Sequence, residues 1–157
     1  MKIRPYTADR ANEIANLFHA SVHAIDDQIY APEQKEAWAP TPPDYAAWAG
    51  RLAVKQPFVA IINDRVAGFM ELDPDGHIDC AYTHPDFQCR GVASALYNHL
   101  VTEAGNRKLK RLYVEASIVA RPFFERRGFT LLHENNVQRN GVTLINYTME
   151  KYIGSGD

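Results

Sequence analysis

The apolar residues of this chain recur with two different spacings, one typical of helices and one typical of strands. Residues 2–6 predict a first strand, and Thr7 with Asp9 after it is typical of a helix start that carries an acid in its first turn. The helix that follows has one apolar face. Its apolar residues lie three or four positions apart, at Ile14, Leu17, Phe18, Val22 and Ile25.

From Phe58 onward the spacing shortens to that of strands. Residues 58–62, 66–70 and 78–82 are β-prone runs, and the pairs Asn63-Asp64 and Asp75-Gly76 between them favour tight turns. These runs predict an antiparallel meander. A helix is then predicted from about Gly91 to Ala104, because apolar residues recur there at four-residue steps.

The last third of the chain alternates strands with one short helix. A strand is predicted from Lys110 to Ala116, and Pro122 begins a helix that Gly128 ends as a left-handed cap. Strands over 129–132 and 142–149 follow, the second entered through the turn pair Asn140-Gly141.

The segment from 30 to 54 is the least regular part of the chain. Its four prolines predict short helices, with Pro32 and Pro43 placed where a first helical turn tolerates proline. The predicted order, β-α-α-βββ-α-β-α-ββ, is that of a mixed α/β sheet.

Length and composition indicate an ordinary globular chain. With 157 residues, 46% of them hydrophobic and 23% charged, the chain is long enough for a full core and too apolar for disorder. No repeat or linker divides it. We therefore expect a single domain over residues 1–153 and a flexible tail over 154–157.

The net charge restricts the classes of binding partner, and the cysteine content indicates the cellular compartment. The net charge of −2 lacks the basic excess of a nucleic-acid-binding protein. No apolar run predicts a signal peptide or a membrane span. Cys80 and Cys89 form neither a CxxC pair nor a dense disulfide framework, so we expect reduced thiols and a cytoplasmic location.

The chemically informative stretch is a strand, a short loop and a helix, over residues 78–94. The first amides of a helix have no intrahelical partner and suit phosphate oxygens. Gly91 allows the backbone to approach a bulky anion, Arg90 adds a permanent forked donor, and the small Ala93 leaves room for the ligand. These residues favour a diphosphate site.

A glycine at a strand-to-helix turn also occurs without any ligand, so the loop by itself leaves both interpretations open. Two nucleotide-binding patterns are missing. The chain has neither the G-x-G-x-x-G of dinucleotide folds nor the G-x-x-x-x-G-K-[ST] of ATPases.

Two motifs resemble the GNAT superfamily of N-acetyltransferases. Gln88-x-x-Gly91-x-Ala93 matches the family's diphosphate loop [QR]-x-x-G-x-[GA]. Downstream, residues 117–129 are similar to the family segment N-x-x-A-x-x-F-Y-x-x-x-G-F. The two motifs and the element order span nearly the whole chain. The resemblance implies a mostly antiparallel mixed sheet of about seven strands, with helices on both faces.

The resemblance also implies acetyl-CoA as co-substrate, without a metal. The pantetheine arm would lie where two parallel strands separate, next to backbone groups near Tyr82 and Thr83. An amide there would polarise the thioester carbonyl, and the acetyl group would pass directly to an amine. The implied coenzyme-binding residues are Tyr82, Thr83, Gln88, Cys89, Arg90, Gly91, Val92, Ala93, Ser94, Ser117 and Phe124.

The second motif departs from the family pattern at two positions. Ser117 stands where the family has asparagine, and its shorter side chain favours contact with pantetheine through water. Phe124 stands where many members carry the tyrosine that protonates the departing thiolate, and a phenyl ring donates no proton. A water, Ser117 or the proton released by the amine would then supply that proton.

A general base for the incoming amine is expected among carboxylates near the implied thioester site. Asp79 and Glu71 lie on neighbouring predicted strands, and Glu115 lies two residues before Ser117. Strand alternation decides which of them points inward, and the sequence leaves the register open. Each also fits a solvated carboxylate on a sheet face.

Two further groups of residues have simpler explanations. His19 and His23 lie one helical turn apart, a spacing that suits a metal, yet no third ligand and no H-E-x-x-H motif accompany them. We expect no metal and interpret the pair as a polar helix edge near the acceptor. The basic run 107–111 is interpreted as solvated surface.

The acceptor pocket is expected to use the irregular segment 30–54. Tyr30, Gln34 and Trp38 are the proposed contacts, and Trp48 fits the core equally well. The leading hypothesis is an acetyl-CoA-dependent N-acetyltransferase acting on a primary amine of a small molecule, or of a peptide or protein. The alternatives are a weak or inactive acyl-CoA sensor and a structural domain without ligand. The sequence leaves a homodimer open.

Overall fold

The computed structural model of the protein describes residues 1–154, so most of the expected tail, residues 155–157, lies outside the described part. The described residues form seven strands, five α-helices and two short 3-10 helices. The strands are β1 (Lys2–Pro5), β2 (Phe58–Ile62), β3 (Arg65–Leu72), β4 (His77–Thr83), β5 (Arg111–Ser117), β6 (Thr130–Arg139) and β7 (Val142–Tyr152). The helices are α1 (Ala11–His23), α2 (Pro32–Trp38), α3 (Tyr45–Lys55), α4 (Val92–Asn106) and α5 (Arg121–Arg126).

The strands form one sheet in the order β1-β2-β3-β4-β5-β7-β6. Every neighbouring pair is antiparallel except β4 and β5, which are parallel. The predicted mixed α/β class and the sheet of about seven strands are therefore confirmed. No helix among residues 1–154 has the length and apolar character needed to cross a membrane.

Helices cover both faces of the sheet. On one face, α4 and α5 bury Leu96, Leu100 and Phe124 against the sheet. On the other face, α1 and α3 bury residues such as Ile14 and Leu52. The sheet thus separates two apolar cores. An opening through the sheet would connect the α4 and α5 face with the α1 and α3 face.

The turns predicted from residue pairs adopt the backbone that those pairs favour. Asn63 and Asp64, between β2 and β3, have φ of +50° and +63°. Asn140 and Gly141, between β6 and β7, have φ of +49° and +79°. Positive φ at both central residues matches the twist of a two-residue hairpin.

Two predicted elements differ from the structure. Three helices precede β2, where the predicted element order has two, and the short helices predicted in the segment 30–54 are α2 and α3. Pro32 lies in the first turn of α2 as predicted. Asp44 caps α3 by accepting from the Ala47 amide at 3.0 Å, so Pro43 lies before the cap and not in the first turn. Strand β6 continues to Arg139 instead of ending at Leu132. Its second half is polar and pairs with β7 at the sheet edge, where no buried face imposes an apolar alternation.

The parallel strands β4 and β5 pair over a very short distance. The paired residues are His77 with Tyr113 and Ile78 with Val114. Beyond them the ladder ends, although both strands continue, to Thr83 and to Ser117. The sheet therefore has an opening between residues 79–83 of β4 and residues 115–117 of β5.

A bulge in β4 changes which side chains face each core. Leu72 pairs with Ile78 and Met70 with Ala81, so two steps on β3 lie opposite three steps on β4. The extra residue falls at Asp79 and Cys80. Cys80 joins the α1 and α3 core.

Asp79 points to the same face as Cys80, because its carboxylate contacts Arg51 and Lys55 of α3. Two successive residues thus face the same side, which simple alternation along a strand does not predict.

Candidate active site

The loop before α4 brings several backbone amides to the surface without acceptors. Cys89 and Gly91 adopt left-handed φ values of +61° and +75°, and they turn the chain into the helix. The first helical hydrogen bond runs from the Ala95 amide to the Gly91 carbonyl, at 3.0 Å. Within the described residues, the amides of 89–94 donate to no backbone or side-chain acceptor. This segment can therefore hold an anion such as a diphosphate.

Two arginines lie beside these amides. The Arg90 guanidinium lies over the ring of the buried Phe87, 5.5 Å from its centroid. Arg127 donates to the Ser94 hydroxyl at 2.6 Å and lies 3.6 Å above the Phe123 ring. Burial lowers the pKa of Arg127, which stays far above neutral. Sequence reasoning missed Arg127, although it directly precedes Gly128 in the second motif.

The loop is tied to the end of β4. The Ser21 hydroxyl donates to the Thr83 carbonyl at 2.7 Å, and the Gln88 side-chain amide approaches the same oxygen at 3.4 Å. The His84 amide donates to the Ala67 carbonyl of β3. Successive amides along a strand point alternately to its two sides, so the amides of Ala81 and Thr83 point away from β3, toward the opening. Backbone donors thus line one side of the gap.

A cleft of about 1050 Å³ passes along the opening between β4 and β5. Ala120 and Phe124 line it from the α5 side, and Trp38 and Trp48 from the α2 and α3 side. The cleft therefore has walls on both faces of the sheet, so a long ligand within it can meet a second molecule on the other face.

Aromatic side chains form the wall of the cleft on the α1 to α3 face. The Phe18 ring lies 4.8 Å from Trp48 and 4.9 Å from Tyr82, and Trp38 lies 6.3 Å from Tyr82, between ring centroids. Burial raises the pKa of Tyr82 well above its usual value. An adjoining cavity of about 420 Å³ shares Phe18, Trp38 and Trp48 and is otherwise lined largely by prolines and alanines. Trp48 thus serves both the cavity wall and the core.

Tyr30 and Gln34 differ in how they relate to the cleft. Tyr30 lines it, but its hydroxyl is fully used: it donates to the Ile145 carbonyl at 2.8 Å and accepts from the Ile118 amide at 2.9 Å. Gln34 lines neither cavity. Its amide group accepts from the Ala31 amide at the start of α2 and donates to the Thr143 carbonyl.

Ser117 and Phe124 both line the cleft near the end of β5. The Ser117 oxygen accepts from the Ala120 amide at 3.1 Å, and its own proton has no acceptor among the described residues. Phe124 is 2% exposed and packs on Phe123 and Phe129. Ser117 therefore offers a proton at this end of the cleft, and Phe124 offers only an apolar surface.

Glu71 and Asp79 are both held by cations of α3. Glu71 is fully buried and lies outside the cleft lining, and Arg51 donates to both of its oxygens, at 3.1 and 2.6 Å. Asp79 lines the cleft with Lys55 at 2.7 Å and Arg51 at 3.1 Å. Burial acts to raise the pKa of Asp79, but the Lys55 hydrogen bond and the Arg51 charge outweigh burial and lower it.

Glu115 lines the same cleft with a different partner. One of its oxygens lies 2.6 Å from His77 Nε2, and 39% of its side chain is exposed. The other ring nitrogen of His77 lies 3.2 Å from Asp73. The Glu115 hydrogen bond raises the pKa of His77 against the opposing effect of burial. His77 lies in no motif, so no pattern along the chain predicts this pair.

His19 and His23 lie with their rings stacked, 4.1 Å between centroids. Glu36, which sequence reasoning did not connect to them, approaches His23 Nε2 at 3.7 Å. That nitrogen is 2.8 Å from the Ala39 carbonyl and must donate to it, so in this arrangement it has no lone pair for a metal. His19 Nε2 bonds the Thr41 hydroxyl at 2.7 Å.

The basic run 107–111 lies at the far end of α4 from the loop. Arg107 pairs with Glu103 at 2.8 Å, and Arg111 pairs with Glu150 at 2.6 Å. Since α4 has fifteen residues, this run is about 22 Å from the helix start.

Residues 26–151 match the family model of the acetyltransferase (GNAT) domain. The chain is 35% identical over 149 residues to the uncharacterized N-acetyltransferase YafP of Escherichia coli (strain K12), covering 95% of this chain and 94% of the relative.

Solved structures agree with this match. A GCN5-related N-acetyltransferase from Rhodopseudomonas palustris superimposes with a TM-score of 0.91 at 38% identity, over 97% of this chain and 95% of the other. The PaiA N-acetyltransferase of Thermoplasma acidophilum, solved with coenzyme A, has the same fold, with a TM-score of 0.78 at 15% identity over 97% and 98% of the two chains.

Proposed function

The chain belongs to the GNAT family of N-acetyltransferases, and from this membership we propose that it moves an acetyl group from acetyl-CoA directly to a primary amine of a small molecule. The observation that carries the proposal is the row of amides over 89–94 without acceptors, in the loop that follows β4, whose residues 79–82 line a cleft through the sheet. The adjoining cavity of about 420 Å³ favours a small acceptor over a protein tail. A cytoplasmic location belongs to the same proposal.

The diphosphate of acetyl-CoA binds the amides of residues 89–94, with Arg90 and Arg127 supplying positive charge. Gln88, whose side-chain amide approaches the Thr83 carbonyl at 3.4 Å, lies at the start of the same loop and belongs to the proposed coenzyme site. The pantetheine arm follows the opening between β4 and β5, where the backbone of Ala81 and Thr83 faces it. The thioester then lies between Phe124 on one side of the sheet and Tyr82 on the other.

Transfer proceeds in a complex of both substrates. An amide of β4 near Tyr82 donates to the thioester oxygen and stabilises the charge that develops as the amine attacks. The new C–N bond forms, the C–S bond breaks, the nitrogen loses one proton and the thiolate gains one. No covalent enzyme intermediate is involved.

Ser117 is the proposed proton relay to the thiolate: its hydroxyl donates a proton to the leaving sulfur, directly or through one water, while its oxygen takes up a proton from a neighbouring water, so that the serine stays neutral. Its hydroxyl proton has no acceptor in the described part of the protein, and it lies on the cleft beside Phe124. This role compensates for the phenol that many relatives carry at the position of Phe124.

Replacing Ser117 with alanine is expected to lower kcat about 10- to 100-fold, because a positioned proton donor is worth roughly that factor or more. The dissociation constant for acetyl-CoA should change less than about 3-fold, since the diphosphate contacts remain. Steady-state kinetics and calorimetric titration separate the two effects. Ser117→Thr keeps a hydroxyl and should retain most activity; equal losses in Ser117→Ala and Ser117→Thr would contradict a donor role.

An acyl-CoA sensor is the second candidate function. It is favoured by one observation, the apolar Phe124 at the position of the expected phenol. A sensor binds acetyl-CoA at the same loop but does not turn it over.

Two measurements test the proposal. Acetyl-CoA at about a hundredfold over its Kd should stabilise the folded protein by roughly 2.7 kcal/mol in a thermal shift assay. Release of free CoA thiol should then depend on an amine, followed with polyamines, amino acids, aminoglycosides and peptides. Stabilisation without amine-dependent thiol release identifies a sensor; no stabilisation rejects both functions.

A further inference from the structure

Seven charged or titratable side chains form a continuous chain of alternating charge, and three of them, Arg51, Asp79 and Glu115, line the cleft. Each contacts the next at 3.2 Å or less. In order they are Glu71, Arg51, Asp79, Lys55, Asp73, His77 and Glu115. Carboxylates occupy both ends and alternate with three basic groups, and His77 is the one among them whose charge changes near neutral pH.

Two carboxylates of this chain line the cleft, and they differ in how much of their charge is already paired. Asp79 has two permanent cations within 3.1 Å, Lys55 and Arg51. Glu115 has only His77 as a partner, through one oxygen, and its second oxygen has no partner among the described residues. Asp79 Oδ1 likewise has no partner among the described residues, but two permanent cations already neutralise the Asp79 charge, so Glu115 is the cleft carboxylate left to take up a proton.

The position of Glu115 in the sheet also fits the role of a proton acceptor. Like Asp79, Glu115 points to the face of the sheet that α3 covers, because its partner His77 contacts Asp73, which pairs with Lys55 of α3. It is two residues before Ser117, so it lies about 7 Å along β5 from the level of the proposed proton donor. A proton moving from the acceptor to Glu115 therefore passes through water.

His77 is held in place by every element around it. Asp73 in the turn before β4 faces its Nδ1 at 3.2 Å, and Tyr113 of β5 stacks on its ring at 4.7 Å. Its own amide donates to Asp75 at 3.1 Å. The remaining charged groups nearby are Asp79 on the same strand and Lys55 of α3, which binds Asp73.

Resting on the proposed transferase function, we propose that Glu115 accepts the proton of the acceptor amine and that His77 is its positioning residue. The hydrogen bond at 2.6 Å fixes one carboxylate oxygen and leaves the other toward the cleft. In the step, one N–H bond of the substrate ammonium breaks and its proton passes through water to the Glu115–His77 pair. The pair thereby gains one positive charge.

The hydrogen bond from His77 to Glu115 fixes the direction of the pH dependence. A neutral His77 ring carries a proton on only one nitrogen, so its other nitrogen faces a carboxylate, either Asp73 or Glu115, with a lone pair. Because these groups repel each other, the ring binds a second proton readily. The pKa of His77 is raised for this reason, with the Glu115 hydrogen bond as the largest cause. The proton-accepting form is therefore present above that pKa and is lost as the pH falls through it.

The test uses the full chain and the amine from the screening panel that gives the highest rate of thiol release. Glu115→Gln should lower kcat about 100-fold or more, within the usual range for a lost base, with acetyl-CoA affinity unchanged. His77→Gln should lower kcat about 10-fold and remove the ionisation above pH 6.5 from the acidic limb of the kcat/KM profile. Glu150→Gln, which removes a carboxylate from the Arg111 pair outside the cleft, should leave the profile unchanged.

An NMR titration of the histidine rings tests the coupling without any acceptor. The His77 pKa should lie above its ordinary value and fall in Glu115→Gln. A His77 titration that is unchanged in Glu115→Gln, or Glu115→Gln with wild-type kcat, overturns this proposal while amine acetylation still stands. A wild-type protein that binds acetyl-CoA but acetylates no amine overturns the proposed function, and this proposal with it.

Discussion

Replacing Gly91 with phenylalanine is expected to raise the Kd for acetyl-CoA at least about 100-fold, a loss of roughly 2.7 kcal/mol of binding free energy. A Cβ built on Gly91 meets no heavy atom within 4 Å, so the new side chain projects into open space beside the amides of 89–94. A diphosphate bound there would collide with the ring. Isothermal titration calorimetry measures the change directly.

The matched control for this variant is Gly141→Phe. Gly141 has φ of +79°, against +75° for Gly91, and a Cβ there also meets no heavy atom within 4 Å. Both variants carry the same left-handed strain, about 1 to 2 kcal/mol, and should lose similar stability. Only Gly91→Phe should lose acetyl-CoA binding. Equal affinity in the two variants would mean that the coenzyme does not use this loop.

Replacing Arg51 with methionine is expected to destabilise the fold by about 3 to 5 kcal/mol, because it leaves the fully buried Glu71 without its cation. For a domain of this size the loss corresponds to a fall in Tm of roughly 6 to 20 °C. Asp79 contributes less, since it keeps Lys55 and is partly exposed. Urea unfolding followed by circular dichroism gives the free energy.

A double variant shows whether the loss of stability comes from the unpaired, buried carboxylate of Glu71. Arg51→Met with Glu71→Leu replaces the ion pair by apolar groups, and such replacements are often neutral, so most of the lost stability should return. Arg107→Met, which breaks the exposed Glu103 pair, should leave the free energy of unfolding nearly unchanged. A double variant as unstable as Arg51→Met alone would show that Glu71 does not depend on Arg51.

The parts of the fold that could be predicted are those that local sequence determines. The pairs Asn63-Asp64 and Asn140-Gly141 favour positive φ by themselves, and both turns form where predicted. The start of α4 follows in the same way from Gly91 and the apolar spacing after it. In each case the cause and its effect lie within a few residues.

The arrangement of carboxylates could not be predicted, because it depends on pairing between distant segments. The bulge in β4 arises from the register with β3, and it turns Asp79 to the same side as Cys80. Arg51 meets Glu71 across 20 positions of sequence, and His77 meets Glu115 across 38. No periodic pattern reports such contacts. Composition shows that these residues are present, and only the folded sheet shows which of them are free.

The most direct measurement of the central claim is a crystal structure of the protein with acetyl-CoA. The diphosphate oxygens should lie within about 3.2 Å of backbone nitrogens in the segment 89–94, with the pantetheine arm between β4 and β5. A bound coenzyme whose diphosphate contacts another surface, while those amides remain without an acceptor, would contradict the account.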